Sequence, residues 1–238
     1  MIGALLMVLA GAGSDSSRGV WTVTETGIAA GTMAATGLLF TLDGDIKDWS
    51  QSHQNAATEN VAVVAKSVGD GYWSLPLAGG LWWAGSGGRA PRLARASRNG
   101  LEAWSLTQMI VVAGKFGAQR QRPRYAESPY EFYGPGFRES RASFPSGHSG
   151  SAWGLLTAYA LEYSEYPWLA GGLYAVALGT SLSRVHDNWH WSSDVAFSAG
   201  LGLVCNRVVR SWNQRRDSSW TMVPSWNGAP GLVMVRNF

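Results

Sequence analysis

The sequence predicts an all-α fold, a multi-helix bundle that ends in a short β-hairpin-like tail. The first observation is a series of apolar segments, separated by polar or glycine-rich breaks and long enough to form helices. The second is that the last three segments are joined by short polar connections, which favour antiparallel neighbours. The third is a loosely alternating pattern after residue 216, centred on residues 227–231, which is typical of a hairpin.

The helical segments follow one another along most of the chain. They are predicted at residues 28–42, 43–51, 61–68, 72–85, 89–117, 149–163, 167–182 and 190–212. The first is expected to be a buried helix, and Asp43 or Asp45 is expected to cap the second. An Asn99-Gly100 pair predicts an interruption of the fifth. Residues 119–144 form a long loop rich in Arg, Pro, Tyr and Gly, and loops of that length are commonly functional.

The chain is expected to contain one domain with two short ends. Residues 1–13 are apolar and end in small residues, as in a secretory signal, although the positively charged start of such a signal is missing. Residues 14–216 are predicted to form a single helical domain, and residues 217–238 a tail packed on it. The sequence contains no indication of the oligomeric state.

Composition suits close helix packing, which often occurs at or near a membrane. Charged residues are 15% of the chain, below the ~25% of soluble domains, and there are 30 glycines and 13 tryptophans. The mean hydropathy of −0.06 and the lack of an uninterrupted apolar run of about 18 residues argue against several bilayer crossings. We therefore expect a periplasmic or extracellular protein, soluble or peripherally attached to a membrane, with an integral membrane protein as the alternative.

Charge and cysteine content exclude two further features. The net charge of +3 is too small to indicate a nucleic-acid partner, although arginines cluster locally. Cys205 is the only cysteine, so no intrachain disulfide can form.

The first candidate cluster of functional residues is basic. Lys115 and Arg122-Pro123 stand at the end of the long predicted helix and the start of the loop. Lysine supplies a point charge, and arginine supplies a planar fork that can bind two phosphate oxygens. The alternative is that these cations only complement the dipole of a helix C-terminus.

The second cluster is Pro145-Ser146-Gly147-His148, immediately before a predicted helix. Such a turn directs backbone N–H groups and the Ser146 hydroxyl at an anion near the helix N-terminus. His148 lies in the same turn, where it can donate a proton to a leaving group. The alternative is a plain helix cap, formed by Ser146 or Ser149.

The third cluster contains Arg184, His190 and Asp194. If the last two lie on one helix, their spacing places them on one face, where the carboxylate can reach the imidazole. A histidine oriented by a carboxylate, with a guanidinium alongside, can attack phosphorus or hold an oxyanion. A metal site is the alternative, since His186 would extend the same face. The turn-favouring Asp-Asn pair after it argues against that alternative.

The clusters read Lys-x6-Arg-Pro, Pro-Ser-Gly-His and Ser-Arg-x5-His-x3-Asp, in that order and within 80 residues. These motifs resemble the signature of the type 2 phosphatidic acid phosphatase superfamily, which also includes bacterial class A acid phosphatases and vanadium-dependent haloperoxidases. Every signature position is matched, at residues 115–123, 145–148 and 183–194. The resemblance implies a helical bundle of the acid phosphatase and vanadium haloperoxidase type.

The resemblance also implies metal-independent hydrolysis of phosphomonoesters, lipid phosphates or lipid pyrophosphates through a phosphohistidine, without a cofactor. His190 would be the nucleophile, and Asp194 would hold its ring through the other nitrogen. His148 would protonate the departing alcohol and then help to activate water. The phosphoryl oxygens would be bound by Lys115, Arg122, Ser146, the Gly147 backbone and Arg184.

Two other functions share these motifs or this composition. A vanadate-dependent haloperoxidase would use the same oxyanion cage, and a non-catalytic envelope protein could bind lipid phosphates without turning them over. His186 is not a signature position and is left without a role. Aromatic residues of the long loop are expected either to accept an acyl or isoprenoid chain or only to pack the loop. They are Tyr125, Tyr130, Phe132, Tyr133 and Phe137.

Overall fold

The computed structural model describes residues 20–217, 220–225 and 231–236. The helices of this part are α1 (Val23–Ser52), α2 (Ala56–Gly69), α3 (Gly71–Ser86), α4 (Pro91–Ala118), α5 (Gly147–Glu162), α6 (Pro167–His186) and α7 (Ser192–Asp217). The connection between α4 and α5 contains two short 3-10 turns, Pro123–Tyr125 and Glu139–Arg141. The predicted all-α class is confirmed.

Two strands follow α7 where the hairpin was predicted. Strands β1 (Trp220–Ser225) and β2 (Gly231–Arg236) pair antiparallel, with Trp220 opposite Arg236. Most of the predicted turn between them lies outside the described residues. The apolar segment at residues 1–13 also lies outside the described residues.

The other helices pack around α5 and α7, which lie at the centre of the bundle. Helix α5 packs on α4, α6 and α7, while α1 covers α7, α2 covers α6, and α3 covers α4. Because successive helices from α4 to α7 run in opposite directions, α4 and α6 end at the same end of the bundle at which α5 and α7 begin. One end of the bundle therefore collects four helix termini and the long loop.

Small residues allow the central helices to approach closely. A Cβ atom added to Gly202 on α7 would lie 2.6 Å from the backbone nitrogen of Gly154 and 2.9 Å from the carbonyl oxygen of Gly150, both on α5. Such contacts are too short for any side chain, so glycine is required where α5 and α7 cross. Tight packing of glycine, alanine and serine was expected from the composition.

The predicted interruption of the long helix at Asn99-Gly100 is wrong, because α4 runs through both residues. The side-chain oxygen Oδ1 of Asn99 accepts a hydrogen bond from Asn213 Nδ2 at 2.9 Å. A Cβ atom at position 100 would lie 2.9 Å from Leu155 Cδ1. Both residues are therefore explained by contacts between helices, which outweigh their weak helix propensity.

The first two predicted helices are one continuous helix, α1, and neither Asp43 nor Asp45 caps it. Thr22 is the N-cap, and its hydroxyl accepts a hydrogen bond from the backbone N–H of Thr24. Asp43 lies in the interior of the helix and is buried. Asp43 can occupy that position because its carboxylate is bound by side chains from other parts of the fold.

The expectation that α1 is buried is also wrong, because its apolar side chains face outward. Met33 and Leu38 are exposed, whereas the buried residues of α1 are Glu25 and Asp43. Glu25 receives a hydrogen bond of 2.7 Å from Arg207 Nε on α7. Polar contacts therefore attach α1 to the bundle. None of the helices in the described residues has both the length and the apolarity needed to cross a membrane.

Candidate active site

The three clusters of the sequence meet at the end of the bundle where four helix termini lie. Lys115 is in the last turn of α4, and Arg184 is in the last turn of α6. Ser146 precedes α5 as its N-cap, and His190 lies in the connection before α7. Arg122 follows α4 in the long loop. The same loop covers this end of the bundle.

His190 is buried and held in one orientation by a backbone carbonyl. Its Nδ1 lies 2.6 Å from the carbonyl oxygen of Ser143, so Nδ1–H donates to that oxygen. This tautomer leaves the lone pair of Nε2 free. Burial lowers the pKa of His190 to about 3, against the opposing effect of Asp194. The ring is therefore neutral near pH 7, as a nucleophilic imidazole must be.

Asp194 lies farther from the ring than expected. Its Oδ2 is 3.8 Å from His190 Nδ1, beyond hydrogen-bond distance. The carboxylate instead accepts hydrogen bonds from Ser143 Oγ at 2.5 Å, Trp191 N at 2.9 Å and Arg120 Nη1 at 2.6 Å. Ser143 thus links the two residues, with its carbonyl on His190 and its hydroxyl on Asp194.

The charge of Asp194 is well stabilised in this position. Burial disfavours the ionised carboxylate, but the Arg120 charge and the hydrogen bonds to the carboxylate lower its pKa to about 2. The negative charge therefore lies close to the imidazole without a direct bond to it. A positive charge that develops on the ring would be stabilised by this arrangement.

His190 and Asp194 do not lie on one helix face, because α7 begins at Ser192. Helix α6 ends at His186, so the five residues between α6 and α7 separate His186 from the helix that carries Asp194. His186 Nε2 lies 3.2 Å from Thr58 Oγ1 on α2. In the residues that the structure describes, no three His, Cys, Asp or Glu side chains are grouped as metal ligands would be. The helix that the metal interpretation required is therefore interrupted.

Two of the cations are held by loop residues. The Lys115 ammonium donates to the carbonyl oxygen of Ala142, and burial together with the Arg122 charge lowers the pKa of Lys115 to about 8. Arg122 Nε donates to the carbonyl oxygen of Glu139 at 2.8 Å, and its Nη2 donates to the Glu139 carboxylate at 2.6 Å. The Arg122 guanidinium also lies over the Trp189 ring, 4.7 Å from its centroid.

The third cation has an unused hydrogen-bond donor. Arg184 Nη1 lies 3.2 Å from Asp187 Oδ2. Its Nε is buried and has no hydrogen-bond partner among the described residues. A buried guanidinium N–H without a partner is costly, and an oxyanion is a suitable acceptor for it.

The second cluster forms the N-terminus of α5. Ser146 caps the helix, since its hydroxyl accepts from Ser149 N at 3.5 Å, and its own N–H donates to Ser198 Oγ at 2.8 Å. The proposed helix-cap alternative is therefore present. It does not compete with anion binding, because the first N–H groups of a helix, here beginning at Gly147, have no partner within the helix.

The electrostatic effects among these residues place them in one site. Burial, followed by the Arg184 charge, lowers the pKa of His148 to about 4. The Arg122 charge also contributes to the lowered pKa values of Lys115, His148 and His190. The cations of the first and third clusters therefore lie close enough for their charges to act on the two neutral imidazoles.

Four polar residues at or behind the site were not assigned a role from the sequence. They are Asp43, Arg120, Glu139 and Ser143. Arg120 had a visible signal, because it stands two residues before Arg122 in the first motif. Asp43 directly follows the apolar run and was expected only to cap a helix. Ser143 and Glu139 act through contacts that no local pattern indicates.

The loop aromatics pack on neighbouring helices but stay partly exposed. The Tyr130 ring lies 5.2 Å from that of Phe40 on α1, and the Phe137 ring lies 4.8 Å from that of Phe116 on α4. These contacts support the interpretation that they pack the loop.

A helical bundle with three cations and two histidines at one end defines a class of oxyanion-binding proteins. Residues 101–218 match the family model described as the PAP2 superfamily. This region, which contains all three motifs, therefore belongs to the PAP2 superfamily. The family inferred from the motifs is confirmed.

One curated protein and two solved structures resemble the chain. A lipid A 1-phosphatase of Porphyromonas gingivalis is 34% identical over 100 residues, which are 42% of this chain and 20% of that protein. The chain thus matches about a fifth of that relative's length.

The solved structures share the fold. A transmembrane PAP2 type phosphatidylglycerolphosphate phosphatase from Bacillus subtilis is 17% identical, with a TM-score of 0.57 over 79% of this chain and 96% of that one. LpxE of Aquifex aeolicus is 19% identical, with a TM-score of 0.53 over 69% of this chain and 92% of that one.

Proposed function

We propose that the protein is a phosphatase that removes phosphate from a lipid phosphate through a phosphohistidine intermediate. The observation that carries the proposal is the buried His190 ring, whose Nδ1 is bonded to Ser143 O at 2.6 Å, so that its other nitrogen carries the lone pair. Three cations lie around it. In a reaction whose transition state spreads charge over phosphoryl oxygens, fixed cations and N–H donors supply most of the stabilisation.

In the first step, Nε2 of His190 attacks phosphorus and the P–O bond to the alcohol breaks. The phosphoryl oxygens are bound by Lys115, Arg122, Arg184 and the N–H groups at the start of α5. His148 donates a proton to the departing alkoxide. In the free protein His148 is neutral near pH 7, because its pKa is about 4. It therefore takes up a proton together with the negatively charged substrate.

In the second step, water replaces the alcohol. Neutral His148 accepts a proton from the water while the oxygen attacks phosphorus, and the bond from phosphorus to His190 Nε2 breaks. Inorganic phosphate leaves and the starting protonation state returns. This mechanism uses no divalent metal, because the three cations neutralise the phosphoryl charge.

The surroundings of His148 favour a lipid as the leaving alcohol. Gly69, at the end of α2, lies against His148, and a Cβ atom there would be 2.8 Å from the His148 carbonyl oxygen. Just beyond it, Tyr72 and Trp73 open α3 with Trp73 74% exposed. This exposed aromatic surface, three to four residues along the chain from the contact with His148, would suit an acyl or isoprenoid chain. The relative named as a lipid A 1-phosphatase supports the same substrate class.

The outward-facing apolar side chains of α1 and α3 support a location at a membrane surface. A lipid phosphatase must meet its substrate there, and exposed Trp, Tyr and Leu side chains can enter the interfacial region. We infer that the catalytic end acts in the periplasm or outside the cell, at the surface of the membrane.

Phosphate release tests the proposed activity. The purified protein should hydrolyse p-nitrophenyl phosphate, and His190→Ala should abolish turnover while the thermal unfolding midpoint stays close to that of the wild type. Near-normal hydrolysis by His190→Ala would contradict the proposed nucleophile. A screen of lipid phosphates, lipid pyrophosphates, nucleotides and sugar phosphates identifies the substrate class.

A matched pair of tryptophans tests the lipid preference. Trp73→Ala should raise KM for a lipid phosphate in vesicles about tenfold, since burial of a large apolar side chain contributes about 1.5–3 kcal/mol. It should leave KM for p-nitrophenyl phosphate unchanged. Trp83, 81% exposed in the last turn of α3, is the control. Equal effects of both variants on both substrates would contradict a chain-binding surface beside His148.

A further inference from the structure

Arg120 is the largest of the fully buried side chains, with 1% of its surface exposed. Each of its N–H groups meets an acceptor. Nη1 donates to Asp194 at 2.6 Å and to Ser193 Oγ at 2.8 Å, while Nη2 donates to Asp43 at 2.7 Å and to the Pro129 carbonyl at 2.8 Å. Nε donates to the same carbonyl at 3.1 Å. The guanidinium is therefore fixed between two carboxylates.

Asp43 is the second carboxylate, and it comes from α1, outside the matched family region. Its Oδ1 accepts from Ser192 Oγ at 2.6 Å and from Ser193 N at 2.9 Å, at the start of α7. Its Oδ2 accepts from Ser193 Oγ as well as from Arg120. Asp43 thus binds both the N-terminus of α7, which carries Asp194, and the arginine that holds Asp194.

The shared guanidinium determines the charge behind the nucleophile. Arg120 is paired with two carboxylates at 2.6 and 2.7 Å, so the buried cluster keeps one net negative charge. When His190 bonds to phosphorus, its ring becomes positively charged. With Asp43 neutralised, the cluster would have no net charge, and the Arg120 charge would fully offset that of Asp194. The chemical step would lose its electrostatic support, whereas binding of the phosphate would not change.

We propose that Asp43 and Arg120 are positioning residues for the Asp194–His190 pair, so that α1 completes the active site. This proposal deepens the proposed phosphatase function and rests on it. Neither residue touches the pocket in which the phosphate binds. Their effect passes through Asp194, and it should be seen in kcat and not in the affinity for phosphate.

The test compares Asp43→Asn with Asp45→Asn, an exposed carboxylate two residues away on the same helix. With p-nitrophenyl phosphate, Asp43→Asn should lower kcat about 10- to 100-fold, the usual effect of removing the partner of a functional side chain. The competitive inhibition constant of inorganic phosphate should change less than about twofold. Asp45→Asn should behave as the wild type. Asp43→Glu, which keeps the charge, should recover part of the loss.

Several results would overturn the proposal. A wild-type kcat per folded molecule in Asp43→Asn, even with a lowered unfolding midpoint, would reduce Asp43 to a structural role. If phosphate binding weakened by the same factor as kcat, the substitution would act on the phosphate site itself and not through Asp194. If Asp43→Asn does not fold, Ser192→Ala removes one hydrogen bond to Asp43 and leaves every charge in place. Since the charge of Asp43 remains, kcat should then fall less than about twofold, and a loss as large as the one expected of Asp43→Asn would contradict the proposal.

The wild-type protein separates this proposal from the function on which it rests. Absence of hydrolysis by the wild type would contradict the phosphatase function itself. An active wild type with an unaffected Asp43→Asn variant would contradict only the positioning role.

Discussion

Raising the pH from 7 to 9 should remove most of the positive charge of Lys115. Burial and the Arg122 charge lower the pKa of this lysine to about 8. A group with that pKa is about 90% charged at pH 7 and about 10% charged at pH 9. If only the charged form binds the phosphoryl group, kcat/KM should fall about tenfold over this range.

The assay is the pH profile of p-nitrophenyl phosphate hydrolysis, because an aryl leaving group depends least on a proton donor. The decrease should be larger in kcat/KM than in kcat, since bound phosphate raises the pKa of the lysine in the complex. Lys115→Arg keeps its charge across the range and should abolish the decrease. A flat wild-type profile up to pH 9.5, or an unchanged decrease in Lys115→Arg, would refute the assignment of Lys115 as a phosphate-binding cation.

Three further predictions concern the proton donor, an acidic loop residue and the helix packing. His148→Ala should reduce kcat at least tenfold more for alkyl phosphates than for aryl phosphates, measured as phosphate release; equal losses would contradict a general-acid role. Glu139→Gln frees the Arg122 guanidinium, which the 79% exposed Glu139 side chain binds. KM should therefore fall up to about fivefold, since an exposed ion pair contributes about 0.2–1 kcal/mol. Glu127→Gln in the same loop is its control. A raised KM in Glu139→Gln would contradict the idea that Glu139 and the substrate phosphate compete for Arg122. Gly202→Ala should destabilise the fold by about 1–3 kcal/mol in thermal melts, whereas Gly37→Ala, with no atom within 4 Å of the new Cβ, should not.

The positions of the functional residues along the helices could be predicted because they depend on local signals. A proline, a serine and glycines before an apolar run indicate where α5 begins, and Ser146 is its cap. The three motifs alternate between helix ends, and the antiparallel packing of consecutive helices brings those ends together. Lys115, His148 and Arg184 therefore lie at the same end of the bundle, as the motif order indicates.

The orientation of His190 and Asp194, the proposed catalytic pair, could not be predicted, because it depends on contacts distant in sequence. Four-residue spacing indicated a helix face for His190 and Asp194, but the chain leaves α6 only after His186 and begins α7 at Ser192. The ring is instead oriented by Ser143, 47 residues upstream. A backbone carbonyl leaves no trace in the sequence, because every residue has one.

Helix α1 differs from the expectation that apolar side chains are buried and charged side chains are exposed. An apolar segment was expected to be buried and its aspartate to lie at a helix end. Asp43 can be buried because its carboxylate is bound by Arg120 and by the serines at the start of α7. These partners are far away in the sequence, so no local pattern indicated them. The apolar side chains of α1 face outward because polar pairs attach the helix to α7.

The most direct test of the account is mass spectrometry of the enzyme quenched within milliseconds of mixing with substrate. We predict an acid-labile phosphate on the peptide that contains His190, formed at least as fast as kcat and absent from His190→Ala. An enzyme that turns over at full rate without any phosphate on that peptide, or with phosphate on another residue, would contradict the proposed nucleophile.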